Sequence, residues 1–337
     1  MAPTDNMLIS VAVPTLNRCA YLREALESIL SQTYTNIEVI VSNNQSTDET
    51  REFLDLIRDP RVAVFHHEKR LSMVENWNFC LSKSSGVYFL LLSDDDFLDA
   101  KFIEECISAI NRLRVEEKED ISVIYGNVIT VDTHGMQLYS RKNESITEPE
   151  LGWQFLAGWF RENRNVQLCS TLFETEQLKA IGGFTSDNLY APDAISRNLL
   201  LINAKTLFVP NAKSYYRVHL SSETNSTFSA STRLDWDLKM VSLILSKMDK
   251  AEYIPWLTKL GFRYAKKRYI LSSLERIQSG NWLENLSSFN QKYVRVFGRK
   301  DLFLLGLPEL ALRFILNNRL GRQFKGVVRN VINLRSA

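Results

Sequence analysis

The sequence has no hydrophobic run long enough to cross a membrane. A spanning helix needs about 18 or more consecutive apolar residues, and no stretch of the 337 residues approaches that length. The first ten residues, MAPTDNMLIS, also lack the basic and then apolar pattern of a signal peptide. These two absences predict a cytoplasmic location.

Cysteine is scarce, and its spacing fits neither a disulfide framework nor a zinc site. The chain has four cysteines, Cys19, Cys80, Cys106 and Cys169. Each lies among apolar neighbours and far from the others in sequence. We therefore predict buried, reduced thiols.

The composition is that of an ordinary globular protein, with 45% hydrophobic and 24% charged residues. The net charge of +2 conceals an asymmetry, because residues 251–337 carry 16 Lys/Arg against 5 Asp/Glu while the rest of the chain is acidic. A basic end of this kind attracts nucleic acid, anionic lipid or a phosphorylated substrate, and charge alone does not choose among them.

Short β-rich runs alternate with helical patterns from Met7 to Asp96, which is typical of βαβ units. The predicted strands are Leu8–Val13, Ile37–Ser42, Val62–His66 and Val87–Leu92, and the predicted helices are Tyr21–Ser31, Thr47–Ile57 and Ser72–Lys83. This pattern predicts an α/β fold with a mostly parallel sheet flanked by helices.

Three polar segments follow three of these strands. Right-handed crossovers bring the carboxyl ends of parallel strands to one edge of the sheet, where ligands of open α/β sheets bind. The segments are Pro14–Arg18, Asn43–Asp48 and Asp94–Asp96. We expect them to meet at that edge.

The second half of the chain is less regular. It predicts strands at Ser122–Thr130, Gln167–Phe173, Thr206–Val209 and Ser214–Val218, and helices at Tyr190–Leu201, Thr232–Ser246, Trp256–Gln278 and Trp282–Phe297. The pattern becomes helical throughout beyond about Ala230. The predicted division is therefore an α/β domain over 1–229 and a helical, basic region over 230–337.

The run FLLLSDDD, residues 89–96, changes in one step from apolar to triply acidic. Adjacent carboxylates raise one another's pKa unless a cation or hydrogen-bond donors hold the ionised forms. Two explanations remain open at this point. The acids hold a divalent cation such as Mg²⁺ or Mn²⁺, or they cap the helix that begins near Ala100 and face solvent.

Six motifs in order carry a resemblance to a known family. They are PTLNR (14–18), SNNQSTDET (42–50), LLSDDD (91–96), IGGF (181–184), PD (192–193) and YRVH (216–219). Together they resemble the family 2 glycosyltransferases of the GT-A fold over roughly the first two-thirds of the chain. The resemblance implies an inverting transfer of one sugar from a nucleotide-sugar donor to an acceptor hydroxyl, assisted by Mn²⁺ or Mg²⁺.

The resemblance also implies roles for individual residues. Asp96 matches the metal ligand of the acidic motif, with Asp94 and Asp95 as donor contacts, and His219 matches a late histidine that completes the metal site. The nucleotide-sugar site would further include Pro14, Thr15, Asn17, Arg18, Asn43, Asn44 and Arg217. Arg233 is an alternative to Arg217 at the diphosphate, and an ion pair with a surface acid is an equal alternative for Arg217. For Asn17 or Thr15, the alternative role is N-cap of the next helix.

An inverting transfer needs a base within hydrogen-bond reach of the attacking hydroxyl. Asp193 matches the acid of the family's Glu-Asp pair, although the preceding position is Pro192 rather than an acid. Asp193 is the predicted catalytic base, with a purely structural place at the start of a helix as its alternative role, and Asp187 is the second candidate for the base.

The second motif departs from the family at the positions that read the nucleobase. Asn43 and Asn44 stand where relatives usually have one or two aspartates, one of which accepts the N3 hydrogen of uracil. Asparagine both donates and accepts, so uridine is not favoured on this ground. Asp48 matches a later acid of the motif and also suits a helix cap.

Two further absences narrow the class of enzyme. No Gln-x-x-Arg-Trp motif is present, which argues against a processive polysaccharide synthase. PTLNR contains no glycine, whereas a sugar nucleotidyltransferase would open with a Gly-rich phosphate loop after its first strand.

The C-terminal stretch alternates basic and apolar residues at helical spacing, including Arg319, Arg322, Lys325, Arg329 and Arg335. Such a helix suits the inner, anionic face of the cytoplasmic membrane and a glycan or lipid-linked acceptor in surface polysaccharide assembly. Packing on its own domain or on a second copy of the chain is an equal alternative. Nucleic acid is not predicted as a partner, because aromatic residues do not interleave with the basic ones. The alternative overall function is a non-catalytic scaffold with the same fold.

Overall fold

In the computed structural model, the described residues are 6–118, 120–140, 143, 148–185, 191–219, 230–249, 251–279 and 296. The chain divides into two compact units, the first formed by 1–226 with 246–253 and the second by 227–245 with 254–337. Among the described residues, no helix combines the length and the apolar character that crossing a membrane requires.

The first unit alternates strands and helices as the sequence predicts. The strands are β1 Ile9–Thr15, β2 Ile37–Asn43, β3 Val62–His66, β4 Tyr88–Leu91, β5 Phe97–Leu98, β6 Ile121–Val131, β7 Gln137–Ser140, β8 Glu150–Leu151, β9 Thr171–Glu174 and β10 Lys205–Arg217. The helices are α1 Cys19–Leu30, α2 Thr50–Asp55, α3 Met73–Lys83, α4 Phe102–Arg112, α5 Val115–Lys118, α6 Gly152–Phe160, α7 Thr175–Ala180 and α8 Pro192–Leu200.

The strands form one sheet in the order β3-β2-β1-β4-β9-β6-β10-β5, with β7 paired to β6 and β8 paired to β10. The first four neighbours are parallel, as predicted. β9 then joins both β4 and β6 antiparallel, so the second half of the sheet is mixed rather than parallel. The predicted α/β fold is therefore confirmed; its first four strands are all parallel, and in the second half β6 and β10 are parallel while β9 runs against its neighbours.

β10 is one long strand where the sequence predicts two. Its pairing with β6 shifts register between Val209 and Lys213, around Pro210, which lacks the N–H that a regular ladder needs. Gly126 of β6 lies opposite this irregularity, and a Cβ there would approach the carbonyl oxygen of Ala212 to 2.3 Å. Glycine at 126 therefore lets the two backbones approach closely enough to keep the strand continuous.

Each face of the sheet is covered by its own apolar cluster. One face packs mainly on α1 and α4, and its core includes Leu22, Ile29, Phe102 and Ile107. The other face packs on α3, α6 and α7, with a core that includes Trp77 and Phe155. Burying such side chains contributes about 1.5–3 kcal/mol each, which fixes the sheet and with it the edge that carries the polar segments. All four cysteines are buried and free, as predicted.

The second unit contains α9 Ala230–Ser246 and α10 Ile254–Ser279. Asp237 of α9 is buried and pairs with Arg268 of α10 at 3.0 Å. The predicted helix at 282–297, apart from residue 296, and the basic stretch at 319–335 lie outside the described residues.

Candidate active site

Residues from the ends of three strands meet at one edge of the sheet. β1 and β4 are parallel neighbours, so Thr15 and Asp94 leave the sheet on the same side. The two residues of β5 follow the acids at once and pair antiparallel with β10, Phe97 opposite Tyr215. That pairing brings the end of β10, and His219 two residues beyond it, to the acidic run.

Asp94 and Asp95 share one cationic partner. Arg18 Nη1 lies 3.0 Å from Asp94 Oδ1 and 3.1 Å from Asp95 Oδ2. The Thr15 hydroxyl donates to Asp94 Oδ2 at 2.7 Å. Burial raises the pKa of Asp94 to about 6, against the opposing influence of Arg18. Arg18, in the loop after β1, therefore supplies the cationic partner that the mutual repulsion of Asp94 and Asp95 requires.

His219 completes the corner from the opposite side. Its Nε2 lies 2.9 Å from the same Asp95 Oδ2 that Arg18 contacts, and its ring packs against Tyr21 with 5.3 Å between ring centroids. Sequence reasoning missed Tyr21, although its place in the first turn of α1 after PTLNR was a usable signal. We define Thr15, Arg18, Asp94, Asp95 and His219 as the acidic corner.

Asp96, the expected metal ligand, is directed elsewhere. Its Oδ1 accepts the backbone N–H of Arg217 at 2.9 Å, and its side chain is buried beside Cys169. Burial and the neighbouring Asp95 raise the pKa of Asp96 well above its ordinary value. The carboxylate that faces His219 is Asp95, one residue earlier in the run.

Arg217, the expected diphosphate contact, has its guanidinium engaged by protein groups. Nε donates to the Asp95 carbonyl at 2.9 Å, Nη1 to the Thr133 carbonyl at 2.9 Å, and Nη2 to Glu24 Oε2 at 2.5 Å. The side chain is only 2% exposed. Arg217 thus ties β10 to the acidic run, to α1 and to the turn after β6. Glu24 was not identified from the sequence.

Asn43 and Asn44 are also used within the protein. The Asn44 amide pairs with the backbone of Leu71 in both directions, at 2.8 and 2.9 Å. Asn43 Oδ1 accepts the Ser46 N–H, and its Nδ2 lies 3.0 Å from His66 Nδ1. Both side chains are buried. They shape the loop after β2.

That loop is joined directly to the loop after β1. Asn17, in a left-handed conformation with φ of 55°, donates its N–H to Ser46 Oγ and accepts the Thr47 N–H. Asp48 accepts the N–H of Thr50 and that of Cys19, so it caps two helices. Pro14 remains in β1, opposite Ser42 of β2. The predicted convergence of these loops is therefore present in the structure.

The remaining predicted residues are Asp193, Asp187 and Arg233. Asp193 stands at the start of α8, where burial raises its pKa and the nearby Arg197 opposes the shift. Asp187 lies outside the described residues. Arg233 lies in α9 of the second unit, where its charge acts on Asp237.

The donor set at the corner suits a hard cation bound together with a ligand. No three Asp, Glu, His or Cys side chains among the described residues converge tightly enough to hold a metal by themselves. The corner nevertheless already holds the positive charge of Arg18 between two carboxylates. Mg²⁺ in proteins often takes only one or two carboxylates and completes its shell with phosphate oxygens and water. Asp95 and His219 fit that kind of partial site.

Comparison with known proteins agrees with this architecture. The family model described as "Glycosyl transferase family 2" matches residues 10–174. The glycosyltransferase GlyG of Streptococcus pneumoniae serotype 4 is 28% identical over 250 residues, which cover 72% of this chain and 79% of GlyG.

Two solved structures share the fold. TarS of S. aureus, in complex with UDP-GlcNAc, has a TM-score of 0.63 at 18% identity. The match covers 85% of this chain and 81% of the TarS chain. The mannosyltransferase PcManGT of Pyrobaculum calidifontis, in complex with GDP-Man and Mn²⁺, has a TM-score of 0.54 at 16% identity. The match covers 97% of this chain and 86% of the PcManGT chain. With the α/β sheet, these similarities confirm the GT-A fold and a glycosyl transfer enzyme, and residues 10–174 of the chain match the model of the family 2 glycosyltransferases.

Proposed function

We propose that this protein is an inverting, metal-dependent glycosyltransferase that moves one sugar from a nucleoside-diphosphate sugar to an acceptor hydroxyl. The observation that carries the proposal is the acidic corner, in which Asp95 Oδ2 is shared by Arg18 and His219 at the edge of the sheet. Two fold neighbours bind nucleotide sugars, UDP-GlcNAc in TarS and GDP-Man in PcManGT, which supports a donor of this class.

The leaving group dictates what the corner must do. Breaking the bond between the sugar and the diphosphate builds negative charge on the diphosphate, and preorganised positive charge lowers the barrier. A bound divalent metal would supply that charge as a Lewis acid. Asp95 and His219 would hold it, Asp94 and Thr15 would orient the donor, and Arg18 would contact the diphosphate.

This assignment differs from the sequence-based expectation at Asp96 and Arg217. Asp96 is buried and accepts the N–H of Arg217, so its role is to fix the backbone beneath the corner. The Arg217 guanidinium donates to the Asp95 carbonyl, which holds Asp95 in place. Both residues support the site without reaching the donor.

Asp193 is the proposed base on the acceptor side. Its raised pKa means that the carboxylate accepts a proton more readily than an ordinary aspartate does, which suits removal of a proton from the acceptor hydroxyl. The acceptor is proposed to be a glycan or lipid-linked glycan in surface polysaccharide assembly. Attachment to the inner face of the cytoplasmic membrane through the basic C-terminal stretch, or association with a second copy, belongs to the same proposal.

Buried Asn43 and Asn44 place amides, not carboxylates, at the two positions where relatives have an acid for the N3 hydrogen of uracil. We therefore keep cytidine, thymidine and guanosine donors alongside uridine. A thermal-shift screen of UDP, CDP, GDP and dTDP with Mn²⁺ identifies the nucleotide, because a ligand stabilises the folded state according to its affinity.

The decisive experiment measures release of nucleoside diphosphate from a panel of nucleotide sugars with Mn²⁺, for the wild type and two isosteric variants. We expect Asp95→Asn to lower turnover at least about a hundredfold, as loss of an electrostatic group in the reaction commonly does. Asp55→Asn, at a side chain that is 59% exposed, is the matched control and should retain activity. Absence of both nucleotide binding and turnover across the panel would refute the proposal.

A further inference from the structure

The acidic corner already contains a cation in the position where a metal would have to bind. The Arg18 guanidinium contacts both acids, and their side chains are only 5% and 10% exposed. Asp94 Oδ2 accepts the Thr15 hydroxyl, and Asp94 Oδ1 accepts Arg18. Asp95 Oδ2 accepts Arg18 and lies at hydrogen-bond distance from His219. The oxygen best placed to bind a metal together with His219 is therefore also an oxygen that Arg18 neutralises.

Charge balance makes a metal and this position of Arg18 mutually unfavourable. Two carboxylates and one guanidinium carry a net charge of −1, so the corner is close to neutral before any metal arrives. Adding a divalent cation next to Arg18 places like charges in close contact at a largely desolvated site, where their repulsion is strong. A metal alone must therefore displace Arg18 from Asp95 against the attraction between the guanidinium and the carboxylate.

A nucleoside diphosphate removes that obstacle. Its phosphate oxygens accept two parallel N–H bonds from a guanidinium, one of the strongest pairings available to arginine. The Arg18 side chain is 26% exposed and follows Asn17, which is exposed and has a φ of 55°. The guanidinium therefore lies on the solvent side of the two carboxylates, from which it can turn toward an arriving diphosphate.

We propose that Arg18 is a resident counter-cation that restricts the metal position until the nucleotide arrives, so that divalent metal and nucleoside diphosphate bind cooperatively. The inference rests on the proposed function, because it assumes a nucleotide donor at this edge. It adds an order of events, in which an arriving diphosphate would draw Arg18 from Asp95, and Asp95 and His219 would then be available to hold the metal. Free metal then occupies the site poorly when no donor is present.

The test measures Mn²⁺ binding from the electron paramagnetic resonance signal of the free ion, without nucleotide and then with whichever diphosphate stabilises the protein. We expect Arg18→Gln to bind Mn²⁺ about tenfold more tightly than the wild type in the absence of nucleotide, which is about 1.4 kcal/mol. The gain in Mn²⁺ affinity on adding the diphosphate should shrink by the same factor, because with the diphosphate bound Arg18 has already left Asp95 and its replacement leaves the Mn²⁺ affinity unchanged. Binding rather than turnover is the readout.

Three further variants control the measurement. Arg114→Gln makes the same charge change at a side chain that is 74% exposed, and it should bind Mn²⁺ as the wild type does. Arg18→Lys keeps the positive charge and should remain near the wild type. Arg18→Met removes the charge with a side chain of different shape, and melting curves show that both variants are folded. If Arg18→Met and Arg18→Gln have the same Mn²⁺ affinity, the effect is due to the lost charge.

Different failures have different meanings. If the wild type binds Mn²⁺ with a nucleotide but Arg18→Gln and Arg18→Met bind free Mn²⁺ no better than it does, the counter-cation inference is wrong while the proposed function stands. If the wild type binds nucleotide but no Mn²⁺ under any condition, the metal part of the proposed function is wrong, and this inference is wrong with it.

Discussion

Replacing Arg217 by methionine should destabilise the first unit by about 4 kcal/mol. Methionine keeps much of the apolar volume but removes the guanidinium. Two of the lost bonds run from a charged donor to the carbonyls of Asp95 and Thr133, each 2.9 Å long, and such bonds contribute about 1.5–3 kcal/mol each. The pair with Glu24, which is 46% exposed, adds less than about 1 kcal/mol.

The assay is equilibrium unfolding in urea at constant pH, comparing the wild type, Arg217→Met and Arg51→Met. Arg51 is the matched control, because it pairs with Asp55 at 3.9 Å with side chains 63% and 59% exposed. We expect the control to lose less than about 0.5 kcal/mol. If Arg217→Met loses no more unfolding free energy than Arg51→Met does, the structural role of the Arg217 guanidinium is contradicted. Arg217 is then again a candidate ligand of the diphosphate.

Two further predictions concern a turn and a buried acid. Gly183 has a φ of 75°, and a Cβ there would lie 2.4 Å from Asn78 Oδ1, whereas at Gly182, with a φ of 89°, it would meet nothing within 4 Å. Both alanine variants incur the left-handed backbone strain of about 1–2 kcal/mol, but only Gly183→Ala also clashes with Asn78. In urea unfolding, Gly183→Ala should therefore lose at least about 1 kcal/mol more unfolding free energy than Gly182→Ala. Equal losses would exclude the contact with Asn78 as a cause. Burial raises the pKa of Asp237 from 3.8 to about 6, opposed by Arg268, so the folded state holds this proton more tightly than the unfolded state does. The resulting stability is fully present below about pH 4 and is lost as the pH rises through about 6, by up to about 3 kcal/mol at 1.36 kcal/mol per pKa unit. Asp237→Asn lacks this titration, so its unfolding free energy relative to that of the wild type should increase between pH 4 and 7. If the difference in unfolding free energy between the two proteins does not change with pH, the raised pKa of Asp237 is refuted.

The parallel half of the sheet could be predicted because its strands are apolar, regular and separated by helical periodicity. β3, Val62–His66, was confirmed at both ends. β5 and β8 have two residues each, too few for any alternation to register. β10 was divided in two because Pro210 interrupts its pattern, and nothing local reveals that Gly126 on another strand accommodates the irregularity.

The location of the site followed from topology, but the direction of individual side chains did not. Three consecutive acids after a strand point in different directions, and only the pairing of β5 with β10 decides that Asp95 faces His219 while Asp96 turns to the backbone of Arg217. The partners that engage Arg217 are backbone carbonyls, which every residue has. Sequence patterns carry no signal for such contacts, so the sequence offers a diphosphate or a surface acid as partners of Arg217 but not these carbonyls.

The bond between Asp96 and the backbone of Arg217 joins residues 121 positions apart. During synthesis, Asp96 and the four parallel strands β1 to β4 therefore leave the ribosome well before β10, which supplies the hydrogen-bond partner of Asp96. Until residue 217 has emerged, Asp96 has to stay hydrated or protonated, so the corner closes late in synthesis. Contacts of such long range also slow folding. A chain stalled before β10 would retain the loops after β1 and β2 but lack the strand that holds Asp96.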